Sequence, residues 1–127
     1  LSLETSGKFK EELVLDEGQF DCVREVAWTT FGGIYIRRAV FDKVGNFSAG
    51  YEWTYNRDVD YCLRTREAGF KIYQIPVRLL HYESKDNKQI KAQDPNKVKA
   101  EMRNLETLKS KWANSKFYKT LDEVVND

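Results

Sequence analysis

The most regular pattern of hydrophobic and polar positions spans residues 56–69 and predicts an amphipathic helix. Asn56 is a typical N-cap residue, and Gly69 suits the left-handed conformation that often ends a helix. The apolar positions that we expect to face the core are Val59, Tyr61, Cys62 and Leu63. Every other element of the chain is placed by reference to this helix.

Two acidic residues fall in the first turn of this predicted helix. Asp60 lies four residues before Arg64, which is the spacing of a helical ion pair, whereas Asp58 has no such partner on the helix. Acidic residues in a first turn are most often ordinary capping chemistry, because the helix dipole favours their ionised form. The alternative is a functional carboxylate, and Asp58 is then the candidate.

Shorter patterns predict further elements on both sides of the helix. Residues 20–36 are rich in β-branched and aromatic side chains and predict one or two strands. Residues 37–44 predict a short helix that ends at Gly45. Residues 70–75 alternate apolar and polar positions, and residues 77–82 form a second strand-like run after a proline.

A long C-terminal helix is predicted to begin at Asp94-Pro95, an N-cap followed by proline at the first helical position. Its apolar stripe, which we expect to face the core, consists of Val98, Met102, Leu105, Leu108 and Trp112. The tail then predicts a final short helix that folds back through Leu121, Val124 and Val125.

Composition bounds the class of protein without naming a partner. The 127 residues are one domain's length, and 41% of them are hydrophobic, as in a folded globular protein. The 21 Lys and Arg residues balance 20 Asp and Glu residues, so nothing points to nucleic acid. No apolar run approaches the roughly 18 residues of a membrane span, so the default expectation is the cytoplasm.

The cysteines and the termini add two expectations. Cys22 and Cys62 are predicted to be reduced, packed thiols, since two cysteines make no disulfide framework, and together with one histidine they make no zinc site. The chain begins at Leu1 and its only methionine is Met102, so we expect it to be a processed product or a piece of a longer protein. Membrane association would then come through the parent protein.

Several short motifs follow one another in an order typical of one enzyme family. They are Gly32-Gly33-Ile34-Tyr35-Ile36, Val40-Phe41-Asp42-Lys43-Val44-Gly45, Asn56-Arg57-Asp58-Val59-Asp60, Glu67-Ala68-Gly69, Ile75-Pro76 and His81-Tyr82-Glu83-Ser84. With these motifs, roughly residues 23–84 resemble the C-terminal half of family 2 glycosyltransferases of the GT-A fold.

The resemblance implies an α/β fold. The expected architecture is part of the Rossmann-like mixed sheet of nucleotide-diphospho-sugar transferases, with flanking helices and a C-terminal helix. Residues 1–92 would form the C-terminal half of the GT-A domain, and residues 93–127 a helical extension packed on it. An incomplete sheet would leave an open edge and an apolar face, so we expect either self-association or marginal stability.

The activity implied by the resemblance is transfer of a sugar from a nucleotide-sugar donor to an acceptor hydroxyl, with inversion, as in polysaccharide biosynthesis. This chain would be the acceptor side, taking a saccharide or glycan acceptor. The donor-binding half, with the main ligands of a divalent Mn²⁺ or Mg²⁺ ion, would lie outside the chain. We therefore expect the isolated chain to be inactive.

The resemblance also assigns roles to individual residues. Asp58 matches the family's general base and is expected to lie exposed at the floor of an open cleft. Asp60 matches the second acid, which either orders the helix through Arg64 or contacts acceptor hydroxyls. Arg57 departs from the family's usual Glu or Asn; it either pairs with Asp58 or replaces an acceptor contact. His81 matches a position near the metal and diphosphate, with a hydrogen-bonded strand histidine as the alternative.

The remaining candidates concern binding of sugar. Trp53 and Tyr55 form either a stacking wall for a sugar ring or part of the core. Gly32 and Gly33 mark a close approach of the backbone to another strand or to a ligand, or a simple bulge or bend. The resemblance favours donor or acceptor as the ligand, on the same side as Asp58.

Two alternative functions are open. One is a non-catalytic carbohydrate-binding or assembly module built on the same scaffold. The other is a galactosyltransferase-type C-terminal domain, which residues 53–60 also resemble.

Overall fold

The computed structural model describes residue 18 and residues 21–53, 55–78 and 95–119. In chain order the elements are strand β1 (Arg24–Val26), helix α1 (Arg38–Val44), helix α2 (Arg57–Glu67), strand β2 (Ile72–Gln74) and helix α3 (Pro95–Trp112). The two strands pair antiparallel, with Glu25 opposite Tyr73. The described part of the chain is therefore a mixed fold of helices and a small two-stranded sheet.

Both strands are shorter than the sequence pattern predicts. Within the described residues 21–36 only Arg24–Val26 is a strand, and its described partner β2 also spans only three residues. Pro76 follows soon after β2, and proline has no amide proton to donate to a ladder. Residues 77–78 are not in a strand, and residues 79–82 of the second predicted strand lie outside the described residues.

Helix α1 confirms its prediction to within one residue. It begins at Arg38 and ends at Val44. Gly45 has φ +79° and its amide donates to the carbonyl of Phe41 at 2.8 Å. A residue without Cβ is suited to this left-handed stop.

Helix α2 is also confirmed, although it starts by a different mechanism from the one predicted. Asn56 occupies the cap position but has φ +65° and makes no side-chain capping hydrogen bond. Gly69 is left-handed as predicted, with φ +89°, and its amide donates to the carbonyl of Arg66. The buried side of the helix comprises Asp60, Tyr61, Cys62, Leu63 and Thr65.

Helix α3 begins at the predicted proline, but the predicted core stripe is wrong over its first half. Val98, Met102 and Leu105 are 45%, 63% and 43% exposed. The buried positions are instead Lys97, Ala100, Asn104, Leu108 and Trp112. The helix is rotated from the expected orientation because Asn104, a polar residue, makes buried hydrogen bonds with a loop earlier in the chain.

The hydrophobic core joins α3 to α2 and to the loop before α2. Its buried cluster contains Tyr51, Leu63, Leu108 and Trp112, with Val59, Phe117 and Tyr118 packed against it. Residues on both sides of the predicted boundary after residue 92 therefore share one core. Among the described residues, no helix has the length and apolar composition needed to cross a membrane.

The rotated α3 gives a direct stability prediction. Leu108→Ala is expected to lower the free energy of unfolding by about 2–5 kcal/mol, because it opens a cavity in the core cluster. Met102→Ala, on the exposed side of the same helix, is the matched control and is expected to change it by less than about 0.5 kcal/mol. Urea denaturation measures the free energy of unfolding of both variants. A larger decrease for Met102→Ala than for Leu108→Ala would support the helix orientation predicted from sequence.

Candidate functional site

Asp60 is the most fully bonded side chain around α2. The carboxylate is wholly buried and accepts five hydrogen bonds. The donors are Ser48 Oγ at 2.6 Å, Tyr51 OH at 3.1 Å, Arg64 Nε at 3.1 Å, Lys111 Nζ at 2.7 Å and Trp112 Nε1 at 2.9 Å. One carboxylate thus ties together the loop before α2, α2 itself and the end of α3.

These contacts determine the charge state of Asp60. Burial by itself would raise the pKa of the Asp60 carboxyl, but the hydrogen bonds from Lys111, Ser48 and Trp112 outweigh burial and hold the pKa below its ordinary value. Burial, reinforced by the Asp60 charge, raises the pKa of Tyr51. Asp60 is therefore ionised at neutral pH, and the predicted pairing with Arg64 is confirmed.

Asp58, two residues earlier, has a different environment. Its side chain is half-buried rather than exposed as expected, and Oδ1 accepts a hydrogen bond from the amide of Val59 at 2.9 Å. Within residues 21–53, 55–78 and 95–119 no ion pair includes Asp58. Burial raises the pKa of the Asp58 carboxyl above its ordinary value, and the backbone hydrogen bonds only partly oppose this.

The side chain one turn after Asp58 is an unreactive thiol. Cys62 is buried and its Sγ lies 3.7 Å from the carbonyl oxygen of Thr29. Burial raises the pKa of the thiol to about 11, so it is protonated at neutral pH and is a poor nucleophile. Cys22 and Cys62 are both free; Cys62 is packed as predicted, whereas the prediction of a packed Cys22 is wrong, since Cys22 is exposed.

Gly32 lies in the segment between β1 and α1. A Cβ atom built on Gly32 would meet nothing within 4 Å among the described residues, so no described strand makes the close approach expected there. Gly32 and Gly33 are both exposed. The open space around Gly32 is compatible with both the ligand explanation and the simple bend.

The loop before α2 carries a strained aromatic residue. Trp53 has φ +55°, a conformation that bulky residues rarely adopt, and its side chain is 52% exposed. The Lys97 ammonium lies 5.4 Å from the centroid of the Trp53 ring and 5.9 Å from that of Tyr55. The two rings share one cation from α3, and Trp53 lies on the surface rather than in the core cluster.

Helix α3 holds this loop through a single buried amide. Asn104 Oδ1 accepts from the amide of Glu52 at 2.9 Å, and Nδ2 donates to the carbonyls of Glu52 at 2.7 Å and Tyr55 at 3.2 Å. On the surface, Arg103 forms a bidentate pair with the Glu52 carboxylate. Sequence analysis missed Asn104, since its partners lie about fifty residues away and nothing in the helical pattern marks it.

Arg57 bonds the loop before α2 and forms no ion pair with Asp58. Its Nη2 donates to the carbonyl of Tyr51 at 2.8 Å, and its Nε is buried without a hydrogen-bond partner. Of the two roles predicted for Arg57, the ion pair with Asp58 is therefore not formed. A replacement contact to an acceptor stays a prediction.

The predicted metal ligand His81 lies outside the described residues. Within the part of the chain that the structure describes, no three His, Cys, Asp or Glu side chains are grouped so as to hold a metal ion. The described residues therefore include both acids of α2 and the aromatic loop, which is the loop before α2 that carries Trp53 and Tyr55. They include no group that we assign as a metal centre.

Comparison with known proteins gives no family assignment. No family model matches the chain, and neither a curated protein nor a solved structure matches it. The candidate site therefore has to be interpreted from its own geometry and chemistry.

Proposed function

We propose that this chain is the acceptor-side portion of an inverting glycosyltransferase, part of a GT-A fold whose donor-binding half lies outside the chain. The observation that carries the proposal is the contrast between two carboxylates in one helical turn. Asp60 is buried and accepts five hydrogen bonds, whereas Asp58 is half-buried and has a raised pKa. Asp58 is assigned as the general base.

The chemistry of transfer suits Asp58. An acceptor hydroxyl that attacks an anomeric carbon must lose its proton as the new bond forms, and a carboxylate within hydrogen-bond reach can take it. Partial burial raises the pKa of the Asp58 carboxyl above its ordinary value, which makes the carboxylate a stronger base. Asp60 fixes α2 against the end of α3 through Trp112 and Lys111, and this restricts the position of Asp58 in the same helical turn.

The aromatic loop supports a saccharide as the acceptor. An exposed indole offers a flat apolar face of the kind that packs against the C–H face of a sugar ring. Trp53 presents such a face, and the loop that carries it leads directly into the first turn of α2. Lys97, with its ammonium near both rings, holds Trp53 and Tyr55 together.

The donor would be a nucleotide sugar with Mn²⁺ or Mg²⁺, bound by the half of the enzyme outside this chain. His81 is the candidate contact of this chain with that metal. None of the described residues is assigned to hold the ion.

The test is an assay of the full-length protein that contains this chain. Purified protein is incubated with a panel of nucleotide hexoses, UDP-galactose included, a mixture of saccharide acceptors and Mn²⁺, and NMR of the product determines the anomeric configuration. Transfer with inversion, lost in Asp58→Asn while nucleotide binding is retained, is the expected result. Retention of configuration, or full activity in the Asp58 variant, would refute the assignment.

The chain alone is expected to show neither transfer nor hydrolysis of any nucleotide sugar, since the donor-binding half is not part of it. The measurement is release of nucleoside diphosphate under the same conditions, with the full-length protein as the positive control. Turnover by the isolated chain would place a complete donor site within these 127 residues.

A second candidate, a non-catalytic carbohydrate-binding or assembly module, is favoured by the exposed Trp53 and by the absence of an Arg57–Asp58 pair. The same assay separates the two candidates. Saccharide binding by a full-length protein that binds no nucleotide would favour the module.

A further inference from the structure

The loop of Trp53 is held in a conformation that its own sequence does not favour. Trp53 and Asn56 are the only non-glycine residues with positive φ among the described residues, and both belong to residues 51–56. For a bulky side chain this conformation is strained, and it persists only where surrounding contacts impose it. The contacts that impose it must therefore be sought in whatever packs against this loop.

Asn104 supplies those contacts. Its side chain is 2% exposed and makes three hydrogen bonds, two of them to Glu52 immediately before Trp53 and one to Tyr55 beyond it. A single planar amide therefore fixes the backbone on both sides of the strained residue. An amide is suited to this task because it accepts and donates at once, whereas a carboxylate only accepts and an aliphatic side chain does neither.

The other contacts to the loop are of a different kind. Arg103 binds only the Glu52 carboxylate, on an exposed surface, and Arg57 binds the carbonyl of Tyr51 at the start of the loop. Lys97 contacts the rings of Trp53 and Tyr55. Among the described residues, none of these three side chains is seen to bond backbone groups on both sides of Trp53. Asn104 thus differs from its neighbours in bonding backbone groups on both sides of Trp53.

We propose that Asn104 is a positioning residue for saccharide recognition, which from α3 holds Trp53 in the left-handed conformation that presents its indole beside the start of α2. This rests on the proposed function for the identity of the ligand, and on the loop geometry for the role of Asn104. The C-terminal helix is then part of the acceptor site rather than only a support for the core.

The test measures the loop conformation and saccharide affinity separately. A strong intraresidue NOE between the amide and α protons of Trp53 reports its positive φ, and the shift of its indole N–H signal on titration with a panel of methyl hexosides reports binding. Asn104→Ala removes all three hydrogen bonds. Asn104→Asp keeps the side-chain volume and the acceptor for the Glu52 amide but removes both donors.

Both variants are expected to lose the positive-φ signature of Trp53 and at least tenfold in hexoside affinity. Two controls separate positioning from general destabilisation. Val40→Ala truncates a buried residue on α1, and Arg103→Gln removes the exposed pair to the same loop. Both are expected to keep the signature and to bind within twofold of the unmodified protein.

Each outcome decides something. Equal losses of affinity in Val40→Ala and Asn104→Ala, or a positive φ that survives in both Asn104 variants, would overturn the positioning role. If the signature depends on Asn104 but the unmodified protein binds no hexoside, the positioning of Trp53 stands and the saccharide function is refuted.

Discussion

Asp60→Ala is expected to lower the free energy of unfolding by about 2–6 kcal/mol, which is a large part of a domain's total stability of about 5–15 kcal/mol. Trp112 Nε1 and Tyr51 OH are buried donors that would each lose their acceptor, at about 1–3 kcal/mol apiece. Arg64 and Lys111 are partly exposed and can turn to water. Urea denaturation at pH 7 measures the loss.

Two further variants show which property of Asp60 matters. Asp42→Ala removes an acid from an exposed i, i+4 pair and is expected to cost less than about 0.5 kcal/mol. Asp60→Asn keeps one acceptor oxygen but loses the charge, so an intermediate loss is expected. A loss no larger in Asp60→Ala than in Asp42→Ala would show that the five-bonded carboxylate does not stabilise the fold.

The same carboxylate predicts acid sensitivity. Because the pKa of Asp60 is lower in the folded state than in the unfolded state, its contribution to stability is present above the unfolded pKa of about 3.9 and is lost as pH falls through the folded value. The free energy of unfolding, measured from pH 7 down to pH 2, is expected to fall more steeply with decreasing pH below about pH 4. In Asp60→Asn this part of the pH dependence should be missing.

Asp58→Asn is expected to affect activity strongly and stability little. Loss of a general base typically costs about 10²–10⁴-fold in rate. Since the pKa of Asp58 is raised in the folded state, the protonated carboxyl favours folding. That stabilisation is lost as pH rises through the folded-state pKa, and the charged carboxylate then weakens folding. Asparagine should therefore leave stability at pH 7 unchanged or slightly higher, as measured by thermal unfolding.

Under the proposed transferase function, the pH profile of the full-length protein adds an independent check on Asp58. A base must be ionised, so kcat/KM is expected to fall on the acidic side at a pH above the ordinary carboxyl range. Asp42→Asn is the matched control for removing an acid elsewhere on the chain. If the residual activity of Asp58→Asn falls on the acidic side at the same pH as that of the unmodified protein, the titrating group is not Asp58.

The sequence predicts the local elements well where local chemistry decides them. Helices α1 and α2 end at the glycines expected, and Asp60 pairs with Arg64 four residues away, because both effects depend on neighbours along the chain. The contrast between the two acids was also visible, since only one of them had a partner at helical spacing.

The orientation of α3 could not be predicted in the same way. Hydrophobic spacing favoured Val98 and Met102 as core positions, but buried hydrogen bonds from Asn104 to residues 52 and 55 turn a different face inward. Likewise, nothing in the local sequence indicates a left-handed Trp53. Both features arise from partners about fifty positions apart in the chain.

The dependence of Asp60 on Lys111 and Trp112 has a consequence for synthesis. Helix α2 is synthesised well before α3. A nascent chain that has emerged only as far as β2 therefore contains Asp60 but lacks two of its hydrogen-bond donors, Lys111 and Trp112. Burying that acid early would leave a charge without full compensation. We therefore expect stalled N-terminal products to stay sensitive to protease, and protection to appear only when Trp112 has left the exit tunnel.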